Sequence, residues 1–299
     1  MKRLISISFL LLICFQSYSQ EQDWEWWNKT HGWEPGMPGW RNWLIISPGY
    51  LGPNALPVPE LKDGLIPEKG EFEFGAVFHF KTGDPTQNLS ARMLIPFAKS
   101  KIALELYGIV VEKYQMSETV RDERFARDKD GRGVTQGDFY FSTLMQLIKG
   151  RRFPNTLLRL ACKTASGGAF YAARVSDSPG YYFDLNFSKD FSNPSGGMFR
   201  SSAMIGFYSW QTNDELNLQD DALLYGAGFA CLKNSWSFTA SLTGYHGYKN
   251  NGDRPMVLTA DIKKGVGNKT IRLQYLHGLH DWEYKTVKIS LTWHFDGIE

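Results

Sequence analysis

Beyond its first fifteen residues the chain has no apolar run of the roughly 18 residues that a membrane helix needs. Cysteine is nearly absent, 3 in 299 residues. Cys162 and Cys231 fall inside strand-like runs, so they read as small core or lipid-facing residues rather than a disulfide framework. Neither sign of charge is in excess, with 33 Lys and Arg against 31 Asp and Glu. That balance excludes nucleic acid and polybasic membrane attachment as partners.

What the chain does have begins at its ends. Lys2 and Arg3 precede the apolar stretch Leu4 to Phe15, and Ser17-Tyr18-Ser19 supplies small residues at a cleavage-like spacing. Residues 1–19 therefore read as a secretory signal peptide, with the mature chain starting near Gln20. Cys14 follows a bulky Ile13, which argues against a lipoprotein anchor. At the other end, Val287, Ile289, Leu291, Trp293 and Phe295 share one face of a strand, and Lys288, Ser290, Thr292 and His294 share the other. A strictly apolar face closing on two aromatics suits a last strand with lipid on one side and a polar lumen on the other.

The same alternation runs through residues 71–299. Phe72, Phe74, Phe78 and Phe80 open the series; Leu89 to Phe97, Ile102 to Leu106, Phe139 to Leu147 and Leu158 to Cys162 continue it. Further runs start at Tyr181, Ala203, Tyr225, Trp236, Met256 and Ile271, the glycine-rich one at Tyr225 being ambiguous in register. With the terminal strand they number twelve, even as single-chain bacterial barrels require. Short connections mostly alternate with longer ones, of which 116–133 and 164–180 are the longest. This predicts an all-β fold, a 12-stranded antiparallel transmembrane β-barrel with short turns and both termini on the periplasmic side. A secreted β-sandwich is the soluble alternative; the nearly uninterrupted apolar face disfavours it.

Residues 20–70 are a separate, irregular piece. Six of the 10 tryptophans lie there, Trp24, Trp26, Trp27, Trp33, Trp40 and Trp43, among prolines and glycines that forbid a long helix or regular strand. The segment reads either as a plug packing into the barrel mouth or as a periplasmic cap without further role.

Opposite parity to the apolar face gives the lumen, and the charged residues there are Glu73, Arg92, Glu105, Asp138, Arg159, Lys163, Asp184, Asp261, Arg272 and Lys288. Opposite charges on neighbouring strands can pair across the ladder, with Glu73 a partner for Lys288 where the last strand meets the first. Such pairing favours a narrow, charge-braced interior over a wide aqueous pore, with ions or small polar solutes as the candidate cargo. An enzymatic reading rests on Ser166, His277, His280 and Asp281 as rim residues for a lipid hydrolase. No His-x-Ser-Asn-Gly element of the phospholipase kind is present, and no lipid A deacylase motif. His277 and His280 should face opposite ways, against a joint metal site. Asp128, Asp130 and Gly131 imitate part of a calcium loop without its distal Glu; the run from Arg121 to Gly133 reads as a charged, solvated loop. No cofactor and no metal are expected, and catalysis is disfavoured. A structural or cell-surface interaction role is the remaining alternative.

Together, the signal, the twelve-strand pattern and the aromatic end resemble Gram-negative outer-membrane β-barrel proteins. The segments Ser47 to Pro59 (SPGYLGPNALPVP), Arg121-Asp-Glu-Arg124 with Asp128-Lys-Asp-Gly131, Lys163-Thr-Ala-Ser-Gly167 and Gly278-Leu-His-Asp281 look like a Bacteroidetes-type outer-membrane barrel family. The resemblance covers nearly all of the mature chain. It implies an outer-membrane location, lipid as the surrounding partner and a porin-like fold; it carries over no activity and no catalytic residue.

Overall fold

In lipid, a sheet can satisfy its backbone only by closing on itself, and the alternating strands do so. The structure, a computed structural model, describes residues 24–150, 152–192 and 196–297. The signal peptide expected at 1–19 lies outside these residues. Residues up to Gly36 and residues from Met37 onward form two compact units. In the first, α1 (Glu25–His31) ends at Gly32, whose φ of 65° provides the left-handed cap.

The second unit is built from β1 (Lys69–Phe80), β2 (Thr86–Phe97), β3 (Ile102–Gln115), β4 (Arg132–Thr135), β5 (Phe139–Ile148), β6 (Asn155–Lys163), β7 (Gly180–Ser192), β8 (Met198–Asp214), β9 (Asn217–Lys233), β10 (Trp236–Gly247), β11 (Met256–Val266), β12 (Lys269–His280) and β13 (Lys285–Asp296). Each barrel strand pairs antiparallel with its sequence neighbours, and β1 pairs with β13, from Lys69 opposite Asp296 to Phe80 opposite Lys285. This closes the twelve-stranded barrel. The thirteenth strand, β4, is an addition: four residues hydrogen-bonded to the end of β3 beyond the ring.

Burial follows the sequence parity. Along β1, Phe72, Phe74, Phe78 and Phe80 are exposed, while Glu73 and His79 are buried. Phe74 is 41% exposed and Glu73 4%, so the strand turns its hydrocarbon out and its carboxylate in. A soluble sandwich would do the reverse. The glycine-rich run at Tyr225 keeps an unbroken register against β8 and β10. On the outward face of β9 the apolar series Leu223, Tyr225, Ala227 and Phe229 gives way to Asp221 and Gln219. The membrane-facing belt therefore ends near Leu223, and the β8–β9 hairpin continues beyond it.

The loop from Met116 to Thr135 is not the solvated run that its charges suggest. It folds as α2 (Glu118–Glu123), capped by Ser117 Oγ, and then β4. Arg121, Arg124 and Arg127 are all buried. The fold-back gives them partners: Arg121 donates to Lys129 O, and Arg124 to Asp84 and Tyr284. Buried charge at this density is tolerated only when paired.

Candidate functional site: a lumen threaded by its own chain

Eight-stranded barrels are filled by their own side chains, whereas wider ones need further filling or leave a channel. Here residues 44–67 supply the filling. Prolines 48, 53, 57 and 59 keep this stretch out of helix and sheet; it turns at 47–51 and 52–55 and is irregular elsewhere, so many of its polar groups bond to the barrel wall. At the long-loop end Trp210 Nε1 donates to Ile46 O (3.1 Å), Gly52 N to Ala173 O (2.8 Å) and Trp282 Nε1 to Pro53 O (3.0 Å). Lower down, Tyr245 Oη donates to Leu56 O (2.8 Å), Arg159 to Glu60 O (3.0 Å), and Lys62 N to Asn186 Oδ1 (2.8 Å). At the short-turn end Ile66 N reaches Gln146 Oε1 (2.9 Å), and Ser100 Oγ donates to Pro67 O (3.3 Å).

The segment is thus a thread running the length of the lumen. Its residues 37–56 sit at the long-loop end, not over the short-turn mouth where β1 begins. Trp40 and Trp43 pack on the long loops, against Phe170 (5.7 Å between centroids) and Phe125 (5.6 Å), with the Arg127 guanidinium over Trp40 at 5.2 Å. Trp24, Trp26, Trp27 and Trp33 belong to the separate N-terminal unit, in which Trp27 is buried and lies 4.8 Å from the His31 ring.

All ten lumen charges lie within pairing distance of an opposite charge. Arg159 Nε lies 2.8 Å from Asp184 Oδ2, Arg272 Nε 2.8 Å from Asp261 Oδ2, and Lys163 Nζ 2.6 Å from Asp138 Oδ2. Lys288 Nζ is 2.5 Å from Glu73 Oε1 across the β13–β1 seam, and Arg92 spans Glu71 and Glu105 (3.1 Å to the latter). Three of these clusters also hold the thread: Lys62 Nζ bonds Glu105 (2.7 Å), Glu60 pairs with Arg272, and Arg159 takes the Glu60 carbonyl. Asp138 and Lys163 sit higher, where Asp138 Oδ1 accepts from Gly167 N and Lys163 donates to Ser176 and Ser178, bracing the 164–179 loop.

Sequence parity did not single out the inward aromatics. Tyr107, Tyr140, Tyr182, Tyr208, Trp210 and Tyr245 line the long-loop half and pack with Leu44, Leu51 and Leu56 of the thread. Their signal is visible in Tyr140 between Phe139 and Phe141, and in Tyr182 between Tyr181 and Phe183. Glu60 and Lys62 carried a weaker one, opposite charges two apart in an extended stretch. Between thread and wall remains a cavity of about 240 Å³ lined by Glu60, Lys62, Glu105, Tyr182, Arg272 and Lys288 among others. It shares several of these residues with a vestibule of about 450 Å³ at the short-turn end.

A knot of charge seals the long-loop end. Arg174, 1% exposed, donates to Asp84 (2.8 and 3.0 Å), Glu112 (2.6 Å) and Thr86 Oγ1 (2.8 Å). Asp84 also accepts from Arg124 (2.8 Å) and from Tyr284 Oη (2.5 Å). Burial works to raise the Asp84 carboxyl, but Arg174 and Arg124 override it and hold the group below the usual carboxylate range. Gly52 of the thread lies flat against the Arg174 guanidinium, 2.6 Å from where a Cβ would stand, so only glycine leaves room there.

The rim residues do not assemble. Ser166 is exposed on the β6–β7 loop, where its Oγ accepts from Phe139 N and shares a bond with Thr164. His280, at the end of β12 across the ring, has Nδ1 3.0 Å from Arg254 O and 3.2 Å from Asp281 Oδ2. His277 lies beside Tyr275. Asp128 accepts from Tyr114 Oη (2.8 Å), and burial raises its carboxyl. Among the described residues no group of three or more His, Cys, Asp or Glu side chains converges as a metal site.

The fold has a solved counterpart. An outer membrane channel from Pseudomonas putida F1 superposes with a TM-score of 0.53 over 81% of this chain and 97% of that one, at 11% identity. The chain has the outer-membrane β-barrel fold. A KdgM porin (TM-score 0.45, 8% identity, 75% of this chain and 99% of that one) and the β domain of a Bordetella autotransporter (0.43, 12%, 76% and 99%) are also similar. No protein-family model matches the sequence, and no curated protein matches it.

Proposed function

We propose that the chain is an outer-membrane channel for small polar solutes whose own N-terminal segment holds it shut. The observation that carries this is the threading of residues 44–67 through the lumen, tied to the wall by Lys62 with Glu105 on β3 and by Glu60 with Arg272 on β12. A passive anchor needs no ion-paired thread. A lumen lined by both signs of charge suits polar rather than apolar cargo. With short turns in the periplasm, β1 starts and β13 ends there, and residues 37–56 lie toward the cell exterior. The outer-membrane location is supported by the fold and by the signal-like residues 1–19.

Planar-bilayer recording tests the proposal. The intact chain is expected to conduct rarely; Glu60→Gln with Lys62→Gln removes both tethers and should raise open probability several-fold. A variant lacking residues 24–66 should conduct continuously. A refolded barrel of that variant without conductance would sink the channel reading.

A further inference from the structure

At the long-loop end, where the thread enters, three side-chain oxygens are buried without a hydrogen-bond partner: Asp220 Oδ2, Asn251 Oδ1 and Asp253 Oδ1. Asp220 is 1% exposed and Asp253 0%. Two buried carboxylates each keeping an unbonded oxygen are costly unless something positive is shared between them.

The backbone brings the two carboxylates together. Asp253 lies in the β10–β11 loop, and its carbonyl accepts from Gly247 N (2.9 Å). Its Oδ2 accepts from Lys249 N (2.8 Å) and Asn250 N (3.1 Å), which fixes the carboxylate and leaves Oδ1 directed elsewhere. Gly247 is glycine because the Asp253 carboxylate occupies the space of its Cβ. Gly247 pairs with Ala222 on β9, and Asp220 is two residues further along the same inward face. Asp220 lies beyond the membrane-facing belt, and its Oδ1 accepts from Asp221 N (2.9 Å) while Oδ2 is left without a bond.

The nearby cations hydrogen-bond elsewhere. Lys249 Nζ is engaged by Asp214 at 2.5 Å. Arg254 Nε stands 4.0 Å from Asp253 Oδ1 and donates to Gly247 O at 3.5 Å. Asp221 and Asp281 add further negative charge at this end, Asp281 Oδ2 accepting from Arg254 N. The acidic side chains Asp214, Asp220, Asp253 and Asp281 thus outnumber the cations Lys249 and Arg254 here, with His280 beside Asp281.

We propose that Asp220, Asn251 and Asp253 form a binding site for a hard divalent cation of the calcium class, pinning the 248–255 loop to β9. All three donors are oxygen, the chemistry that calcium takes, with backbone carbonyls and water completing its shell. Zinc would call for nitrogen or sulfur donors. The same loop clasps the thread, since Ser47 Oγ donates to Asn251 O (2.9 Å) and Gly49 N to Gly252 O (2.9 Å). Calcium at this site therefore fastens the segment that fills the lumen. The binding itself does not depend on the channel reading.

The test is calorimetric titration of the full chain, folded in detergent micelles, with calcium chloride. One calcium per chain is expected, with a Kd on the order of 10⁻⁴ to 10⁻³ M, as for extracellular calcium modules. Asp220→Asn and Asn251→Ala should each weaken it roughly tenfold or more, and Asp221→Asn should not. Calcium should also raise the unfolding temperature of the intact chain and leave that of Asp220→Asn unmoved. Asp253→Asn keeps an acceptor for Lys249 N and Asn250 N; should it fail to fold, the other two variants carry the test. No binding, equal affinity in Asp220→Asn, or equal affinity for magnesium overturns the assignment.

Discussion

Replacing Arg174 by Met probes the knot at the long-loop end most directly. The guanidinium is buried and serves Asp84, Glu112 and Thr86 at once. Without it, Asp84 keeps Arg124 and Tyr284, while Glu112, 1% exposed, keeps the Asn54 amide. The variant therefore leaves a buried carboxylate with no cation, a change that costs about 3–5 kcal/mol. At roughly 2–4 °C per kcal/mol for a chain of this size, the unfolding temperature should fall by about 6–20 °C. The assay is thermal unfolding in micelles, followed by the loss of the compact band in unboiled gel electrophoresis. A second variant isolates the cause. Adding Glu112→Leu removes the stranded charge, so Arg174→Met with Glu112→Leu should regain more than half of the loss. A drop of under about 3 °C in the single variant, or no recovery in the double one, would refute the reasoning, because the cost would then not be a stranded charge.

Two further outcomes are expected. Asp84 is held below its unfolded pKa by Arg174 and Arg124, so its stabilisation is complete above about pH 4 and is lost as pH falls through the lowered folded value. Protease resistance of the long loops should decline on acidification below pH ~4 in the wild type and decline less in Asp84→Asn. Ile289, 52% exposed on the outward face of β13, separates a lipid setting from a watery one. Ile289→Arg should cost about 2–4 kcal/mol in folding into bilayers if it faces the membrane interior, measured by urea titration in vesicles. A cost within ~0.5 kcal/mol would place that face in water.

Strand parity made the barrel legible, because a period of two assigns every residue to lipid or lumen once one face is known. Phe72 and Trp293 outward, and Glu73 and Lys288 inward, follow from that rule alone. What parity cannot convey is contact between elements of different period. The thread has no alternation, since its prolines and turns break any regular ladder and its bonds come from a wall distant in sequence: Glu60 meets Arg272, and Leu56 O meets Tyr245. The run from Arg121 to Asp130 misled for the same reason. Its charges look solvated one by one, and only the fold-back onto Asp84 and Tyr284 shows that Arg124 is buried. The β4 addition is invisible as well, being four residues held by β3 alone.

The thread also constrains the order of assembly. Its residues enter from one end of the ring, and β1 follows directly at the other. Once β1 has zipped to β13, from Phe80 against Lys285 to Lys69 against Asp296, the segment could reach its place only by being drawn lengthwise through a finished cylinder. It is simpler for the remaining strands to curl around a segment already lying along the axis. The last seam would then form over it, as staves are drawn around a core. In that sequence of events the thread is the mandrel on which the barrel is made, and its ion pairs guide the folding of the wall around it.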